Sequence, residues 1–452
     1  MTYQSTVEQL YSLGHELAVT PTHKFDLAYV REMLVALGNP ERRFPAVLIA
    51  GTNGKGSTAS TLASILRAAG YKTALYSSPH LVSINERIRV NGEAIADVEF
   101  SVIYDRVERT AQQLLDSGNL PWHPSFFEML TVMAFEYFAS VGVEIAVLEV
   151  GMGGRLDATN VVDPLLSIIA DISLDHQKYL GDTIGEIARE KAGIIRENGL
   201  VVTLPQHPEA NDVIGHAILD HHATGISAVK YVPPVSPRAA EFLAGRVVPT
   251  PGRNRYPLSV MGEEILVDSP LAGRHQLRNI ALAVAAAEEL GRFGFKVTAR
   301  QIEQGIRATH WPGRFQVRPP SPATHQRETV LDVAHNPAGA WALRSALSET
   351  FPDREFTIVF GAMRDKAVQE MADILFPIAE HVVVTPIANP RAATTEQLLH
   401  AGSRTGTAMV AEDSVTAALA RAGEITSPDG VIVVTGSIFL VGEAMRAMGI
   451  PA

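Results

Sequence analysis

The chain has 452 residues, no cysteine and a formal net charge of −11, from 49 acidic and 38 basic residues. This length exceeds one ordinary hydrophobic core, so we expect two or three domains. The acidic balance argues against nucleic acid or a membrane surface as a partner. The lack of cysteine excludes disulfides and thiol chemistry. We find no apolar run of 18 residues and no leader-like N-terminus, so we expect a cytoplasmic protein.

Strand-like and helix-like runs alternate along most of the chain, which predicts an α/β fold with mainly parallel sheets. Strands are predicted at 46–50, 72–76, 144–150, 165–171, 199–204, 328–333, 355–360, 380–385 and 430–435. Helices are predicted at 5–18, 26–37, 58–69, 97–116, 125–140, 182–195, 274–291, 298–308, 337–349, 366–376 and 414–423.

Two stretches interrupt this alternation. The segment 205–262 is irregular and rich in Pro, Gly, Ala and Arg, and we predict an antiparallel excursion there. Prolines at 319, 320 and 322 break helices and extend the chain. They predict a linker at 314–328 between an N-terminal domain at 1–313 and a C-terminal domain at 329–452.

The first predicted strand runs into the turn Gly51-Thr52-Asn53-Gly54-Lys55-Gly56-Ser57, and a predicted helix follows. Such a turn aims backbone N–H groups and a helix N-terminus at one spot, which suits phosphates. Lys55 supplies a positive charge and Ser57 a hydroxyl suited to Mg²⁺. The spacing departs from the general phosphate loop, because Ile49 replaces its first glycine and Gly56 follows the lysine. A bare turn is the alternative, but it needs fewer glycines, so we predict nucleoside triphosphate binding.

Three downstream positions are further candidates. Glu149 ends the strand predicted at 144–150, where open α/β sheets place ligands, although the following glycines could form a structural turn alone. His176 comes just after another strand, although a lone histidine is usually packed or exposed. Thr183 and Glu186 have capping-box spacing and predict a helix start before Lys191, which alone would be a solvated lysine.

Polar clusters follow other predicted strands. Ser78 comes after the second strand, and the paired aromatics at 126–127 open a helix, where they suit either the core or stacking on a flat heterocycle. In the second domain, His335 and Ser437 each follow a strand. Because the carboxyl ends of parallel strands meet at one edge, we expect these clusters to line one rim.

In this order the motifs resemble those of the folylpolyglutamate synthase and dihydrofolate synthase family, a branch of the Mur ligases. The match runs from about residue 20 to residue 445 and includes the extra glycine at position 56. The resemblance implies an ATP-dependent ligase that joins L-glutamate to dihydropteroate, to the γ-carboxylate of reduced folates, or to both, through an acyl phosphate. It also implies an N-terminal phosphate-loop domain and a C-terminal Rossmann-like domain that closes over ATP.

The resemblance assigns roles to the matching residues. Expected ATP contacts are Asn53, Gly54, Lys55, Gly56, Ser57, Asn279, Arg314 and Asp332. Two Mg²⁺ sites are expected, with the ligands Ser57, Ser78, Glu149 and His176. Expected pterin or folate contacts are Ser125, Phe127, Glu128, Leu156, Asp157 and Ala158. The glutamate end is assigned to His335 and Ser437. The catalytic set is Lys55, His335 and Lys191, the last as N6-carboxylysine, a carbamate derived from CO₂.

One position departs from the family pattern, since Val333 stands where glycine is usual, and we expect a slightly different turn beside Asp332. Two alternatives are kept. Another Mur-type amino-acid ligase would lack the Ser-Ser-Pro-His-Leu and Ser-Phe-Phe-Glu elements, and a nucleotide switch would favour an Asn-Lys-x-Asp motif. We expect a monomer acting on small molecules. The sequence leaves open which synthase activities are present, the polyglutamate length and the preferred one-carbon form.

Overall fold

The computed structural model describes residues 2–14, 26–234 and 252–451. Within them, two α/β units are each built on one sheet. The strands of the first sheet are β1 (Ala46–Ala50), β2 (Thr73–Tyr76), β3 (Ile88–Val90), β4 (Glu93–Ala94), β5 (Ile145–Glu149), β6 (Leu166–Ile169), β7 (Leu200–Thr203) and β8 (Thr224–Ser227). They lie in the order β4-β3-β2-β5-β1-β6-β7-β8. Only the pairings that involve β3 and β4 are antiparallel among these described strands.

Helices cover both faces of this sheet, so β1 is buried along its whole length. Leu48 and Ala50 face the apolar cluster of one side, while Val47 and Ile49 face that of the other. The helices of this unit are α1 (Tyr3–Ser12), α2 (Leu27–Ala36), α3 (Lys55–Ala68), α4 (Asp97–Asp116), α5 (Phe126–Ser140), α6 (Gln177–Leu180), α7 (Ile184–Ala192), α8 (Pro208–Asp220), α9 (Arg274–Glu289) and α10 (Ala299–Arg307). A hairpin of β9 (Asn254–Val260) and β10 (Glu263–Ser269) packs beside α10.

The second unit has a sheet in the order β11-β12-β16-β13-β14-β15, parallel except where β11 pairs with β12. Its strands are β11 (Gln316–Ser321), β12 (Arg327–Leu331), β13 (Phe356–Phe360), β14 (His381–Val384), β15 (Ala408–Ala411) and β16 (Val431–Thr435). Its helices are α11 (Pro337–Thr350), α12 (Val368–Leu375), α13 (Thr395–Gly402), α14 (Val415–Ile425) and α15 (Ile438–Ala447). Apolar clusters lie on both faces of this sheet as well.

The predicted alternation of strands and helices is confirmed, and the elements that the prediction missed include β8, β15, α8, α13 and α15. Helix α3 begins at Lys55, three residues before the predicted start, because Gly54 already terminates the loop. The segment predicted as irregular contains α8 and the parallel strand β8, and the antiparallel hairpin begins only at 254. The part of predicted helix 5–18 beyond residue 14 lies outside the described residues, as do residues 235–251.

The proline-rich segment is not wholly extended linker. Strand β11 lies inside the predicted linker 314–328 and hydrogen-bonds to β12. Its prolines are tolerated because β11 is an edge strand. The N–H groups that prolines lack are not needed for hydrogen bonds to a strand on the other side of β11. The domain bounds at 313 and 329 remain predictions.

Contacts join the two units away from their sheets. Leu81 of the first unit is buried in an apolar cluster of the second, and Arg446 of α15 donates to the Val82 carbonyl at 2.7 Å. Arg274 and Glu349 form an exposed ion pair between α9 and α11. As for membranes, no helix in the described ranges is long and apolar enough to cross a bilayer.

Candidate active site

The carboxyl edges of both sheets face one cleft of about 1170 Å³. Parallel strands deliver the turns that follow them to this edge, as expected for an open α/β sheet. All the residues assigned by the family resemblance line this one cleft: Asn53, Gly54, Lys55, Gly56, Ser57, Ser78, Ser125, Phe127, Glu128, Glu149, Leu156, Asp157, Ala158, His176, Lys191, Asn279, Arg314, Asp332, His335 and Ser437. Asn53 and Ser437, which are 384 positions apart in the sequence (437 − 53), therefore line the same cavity.

The glycine-rich turn has the backbone of a phosphate loop. Gly54 caps α3 with φ 84°, and a Cβ there would overlap the Asn279 side chain, so the position requires glycine. The first turn of α3 has N–H groups without intrahelical partners, and the helix dipole is positive there. Lys55 curls back across the loop, and its Nζ donates to the carbonyls of Gly51 at 3.1 Å and Thr52 at 3.2 Å.

The loop after β6 is fixed against this turn. The N–H groups of Thr52 and Asn53 both donate to the Asp171 carbonyl, at 2.8 and 3.1 Å. The Thr52 hydroxyl donates to the Ser173 carbonyl at 3.0 Å. Arg278 of α9 forms an ion pair with Asp171 at 2.6 Å. These bonds place the residues that follow Ser173 beside the phosphate-binding turn.

Lys191 is buried below the same turn, with a residue exposure of 3%. The predicted capping box is confirmed, since Thr183 and Glu186 exchange hydrogen bonds at the start of α7. The Lys191 Nζ donates to the Gly51 carbonyl at 2.8 Å. Burial is the main cause that lowers the pKa of Lys191 to about 7, and the positive charge of Lys55 adds to this effect. A large fraction of this amine is therefore uncharged near neutral pH.

The four predicted metal ligands contribute oxygens and one imidazole. Ser57 and Glu149 are buried, and the Ser78 N–H donates to the Glu149 carboxylate at 3.3 Å. Burial and the charge of Lys366 lower the pKa of His176 to about 4, so its ring is neutral at pH 7. Hydroxyl and carboxylate oxygens suit Mg²⁺. Among the described residues no group of three or more His, Asp or Glu side chains is arranged to hold a metal ion, so a cation here would need hydroxyls and water.

The predicted pterin side of the cleft is the turn after β5, which packs against α5. Ser125 caps α5 in a capping box with Glu128. A Cβ at Gly151 would overlap the Phe127 ring, so that ring lies against the bare backbone after β5. Asp157 is buried, which raises its carboxyl pKa, although hydrogen bonds from Thr159 and Met152 oppose the rise.

On the second unit, Asp332 directly follows β12 and accepts hydrogen bonds from the N–H groups of Phe315 at 2.8 Å and Ala334 at 2.9 Å. Burial raises the Asp332 pKa and lowers that of Arg314. Val333 is buried, does not adopt positive φ, and packs in the same apolar cluster as Leu81. The turn beside Asp332 therefore accommodates the β-branched residue.

One carboxylate collects groups from across the cleft. The Asp175 carboxylate accepts a hydrogen bond from Lys366 Nζ at 2.6 Å and one from Asn336 Nδ2 at 3.4 Å, and His335 Nε2 lies 3.7 Å away. Asn336 also donates to Asn53 in the phosphate-binding turn, at 3.0 Å. Burial raises the pKa of Asp175, but the neighbouring His335 ring and the Lys366 charge outweigh it and hold the pKa far below its usual range.

Charged lining residues that had no role in the sequence interpretation include Asp171, Asp175, Arg278 and Lys366. Asn336, which donates to Asp175, had none either. Each lies in or beside a motif at a strand end or helix start, so its position was visible in the sequence. Their partners were not visible, because each pairs with a residue far away in the chain.

Known proteins match the chain along most of its length. The Mur ligase middle domain matches residues 105–287, and the Mur ligase, glutamate ligase domain matches residues 313–438. The chain is 32% identical to a Bacillus subtilis dihydrofolate synthase/folylpolyglutamate synthase, over 93% of this chain and 94% of that protein. It is 34% identical to a Lacticaseibacillus casei folylpolyglutamate synthase, over 99% of each.

Solved structures agree with these matches. A Mycobacterium tuberculosis folylpolyglutamate synthase, complexed with ADP and AMPPCP, superposes with a TM-score of 0.87 at 30% identity over 99% of both chains. An Escherichia coli protein in complex with DHPP and ADP superposes with a TM-score of 0.83 at 29% identity, over 99% of this chain and 98% of that one.

Proposed function

The chain belongs to the folylpolyglutamate synthase and dihydrofolate synthase branch of the Mur ligases, and on that premise we propose how its cleft works. It is an ATP-dependent ligase that joins glutamate to folates by an amide bond. We propose that the cleft first converts the carboxylate of dihydropteroate or of a reduced folate into an acyl phosphate. The amine of L-glutamate then attacks that acyl phosphate.

One observation carries this proposal: the phosphate-binding turn, the pterin-side turn and the candidate glutamate end line one cleft. Amide synthesis needs ATP, the folate and glutamate side by side. The γ-phosphate must reach the folate carboxylate, and the glutamate amine must then reach the acyl phosphate that forms. A nucleotide switch has no need of two further substrate walls around its triphosphate.

The first step concentrates negative charge on phosphoryl oxygens. The bond from the γ-phosphorus to the β-γ bridging oxygen breaks, a bond to the carboxylate oxygen forms, and ADP leaves. Lys55 and the N-terminus of α3 face those oxygens and stabilise their charge. Asn279 of α9, Arg314 just before β11 and Asp332 just after β12 hold the rest of the nucleotide.

Ser57, Ser78, Glu149 and the neutral His176 would hold Mg²⁺ in two sites. When bound, the metal neutralises phosphate charge and orients the transferred group. The donor chemistry supports this assignment, since three of the four ligands offer oxygen.

In the second step the glutamate nitrogen bonds to the acyl carbon, and inorganic phosphate leaves with the electrons of the broken C–O bond. The nitrogen also loses a proton. His335 and Ser437 lie at this end, and the half-exposed His335 ring accepts that proton.

Lys191 carries a carbamate in the working enzyme. Its neutral amine adds to CO₂, a C–N bond forms and one proton is released, so the side chain becomes an anion. A lysine with a pKa of about 7, buried beside the positive charge of Lys55, supports this modification. The anion would relieve the repulsion between the two lysines.

Ser125, Phe127, Glu128, Leu156, Asp157 and Ala158 bind the pterin portion, and these positions favour a bifunctional enzyme that accepts dihydropteroate as well as reduced folates. We propose a monomer as the working unit. The cysteine-free sequence suits the cytoplasm.

The test measures ADP formation with dihydropteroate and with tetrahydrofolate separately, each with and without glutamate, and identifies products by mass. Glutamate-dependent ADP release with a matching gain of one glutamate is expected for both acids. Activity with only one acid would contradict the bifunctional assignment. ATP hydrolysis that ignores both substrates would overturn the ligase.

A further inference from the structure

Asp175 is the meeting point of the two units inside the cleft. Lys366, Asn336 and His335 all come from the second unit, and all lie within 3.7 Å of its carboxylate. The side chains of Asp175 and Lys366 are only 8% and 11% exposed. Charged groups this far buried are strongly coupled to their partner, because water does not screen them.

The loop that bears Asp175 is itself attached to the phosphate-binding turn. Thr52 and Asn53 bond to the backbone of that loop at Asp171, and Asn53 also donates to the Ser173 hydroxyl at 3.1 Å. A group that bonds to Asp175 is therefore positioned relative to the phosphate site as well. Asn336 contacts both parts, since its amide donates to Asp175 in the loop and to Asn53 in the phosphate-binding turn.

The exposed pair Arg274–Glu349 shows what distinguishes this arrangement. It also joins the two units, at 2.7 Å, but its side chains are 61% and 40% exposed. Exposed pairs contribute little to stability, whereas breaking a buried pair leaves an uncompensated charge. Of these two ion pairs between the units, the buried pair at Asp175 is the one with reason to control how the second unit sits over the cleft.

We propose that Asp175 is a positioning residue that latches the second unit onto the phosphate-binding turn and thereby keeps water from the acyl phosphate. Asp175 touches no reacting atom; it acts through Lys366, Asn336 and His335. This inference rests on the acyl phosphate of the proposed function. Water that enters attacks the acyl carbon, phosphate leaves and the carboxylate is restored, so ATP is consumed with no amide formed.

The first measurement is the ratio of ADP to amide product in Asp175→Asn. This substitution keeps the shape of the side chain and removes its charge. The wild type should give a ratio of one. The variant should lose about tenfold to thirtyfold in amide formation and release at least two ADP per amide. Added glutamate should return the ratio toward one, because the amine competes with water. A loss that merely reflects poor folding would lower ADP and amide together.

The second measurement is independent of activity. The sequence has no cysteine, so spin labels attach only at introduced cysteines, and Leu219→Cys and Glu396→Cys place one exposed label on each unit. Asp175→Asn should broaden and lengthen the distance distribution between the labels. Glu349→Gln is the matched control, since it removes one charge from the exposed pair, and it should leave both the distances and the ADP-to-amide ratio unchanged.

Lys366→Gln breaks the same pair from the other side and decides the matter if Asp175→Asn does not fold. An ADP-to-amide ratio of one together with unchanged label distances, in whichever variant folds, would overturn the latch. A wild type without glutamate-dependent ADP formation would instead overturn the proposed function, and the label distances would still judge the latch.

Discussion

The two walls of the cleft hold their polar side chains differently. On the first unit, Lys191 and Asp157 make their hydrogen bonds within that unit, to the backbone of neighbouring turns. On the second unit, Lys366 and Asn336 bond across the cleft to the first. The first wall is therefore ordered by its own fold, and part of the second wall is ordered by docking.

This difference separates two tasks. A wall that is assembled in advance can bind phosphates and a pterin without waiting for domain closure. A wall that depends on cross-cleft bonds brings its groups into place only when the units meet. Substitutions on the first wall should therefore weaken binding or chemistry, whereas substitutions that disturb docking should also uncouple ATP use from amide formation.

The largest effect is expected for Lys55→Ala on the first wall. If Lys55 stabilises the phosphoryl oxygens as proposed, removing this cation should lower kcat/KM by about 10³, or about 4 kcal/mol of transition-state stabilisation. Steady-state ADP release measures this loss. The ADP-to-amide ratio should remain one, and a strongly uncoupled variant would contradict the assignment of Lys55 to the first wall alone.

Lys191→Ala should lower turnover by about 10², and added acetate or bicarbonate should partly restore it. The modification itself can be observed by NMR with ¹³C-labelled bicarbonate. Carbamate forms only on the neutral amine, and the lowered pKa of about 7 makes that form abundant above pH 7. The carbamate signal should therefore fall as the pH drops below 7. A signal that appears only near pH 10, or full activity in the variant, would remove Lys191 from the mechanism.

Gly442→Ala tests the part of the second wall that is ordered by docking of the two units. Gly442 lies in α15, and a Cβ there would overlap the Leu81 carbonyl of the first unit. The clash involves backbone, so the units must shift apart, and we expect about a tenfold loss of kcat with an ADP-to-amide ratio above one. Gly215→Ala in α8 is the control, since a Cβ there meets no atom within 4 Å. An unaffected Gly442→Ala enzyme would show that the contact does not set the docking.

The smallest effect is expected for Asp157→Asn. The Thr159 N–H donates to one carboxylate oxygen of Asp157, and the Met152 N–H donates to the other. After the substitution the amide NH₂ must face one of these N–H groups, and two donors cannot form a hydrogen bond with each other. The turn should loosen, raising the KM for the folate substrate about tenfold, or about 1.4 kcal/mol, with little change in kcat. The exposed Asp163→Asn is the control. A changed ADP-to-amide ratio would be evidence that this residue belongs to docking instead.

Much of the first wall could be predicted because its signals are local. The turn at 51–57 combines glycines, a lysine and a hydroxyl within seven residues, directly after an apolar run. The capping box before Lys191 is four residues long. The sequence did not predict the first three residues of α3, from Lys55, because the glycines there lower the helix propensity. In the structure the N-cap at Gly54 starts the helix despite that low propensity.

The docked wall could be predicted only in part. His335 and Ser437 were placed at strand ends, but the Asp175–Lys366 pair joins residues 191 positions apart, and no local pattern specifies such a partner. Strand β11 was missed because its prolines argue against a strand, and only its edge position makes them acceptable.

The amino-acid sequence by itself determined the alternation of buried strands and helices through the period of its apolar residues, and the phosphate-binding turn through the placement of its glycines. Both signals act between residues close together in the chain. The order of the motifs along the chain determined the family. Only the tertiary structure decided which strand-end turns meet. Burial lowered the pKa of Lys191, whereas neighbouring groups such as Lys366 lowered the pKa of Asp175 against the opposing effect of its burial. Desolvation and neighbouring charges of this kind exist only once distant segments pack together.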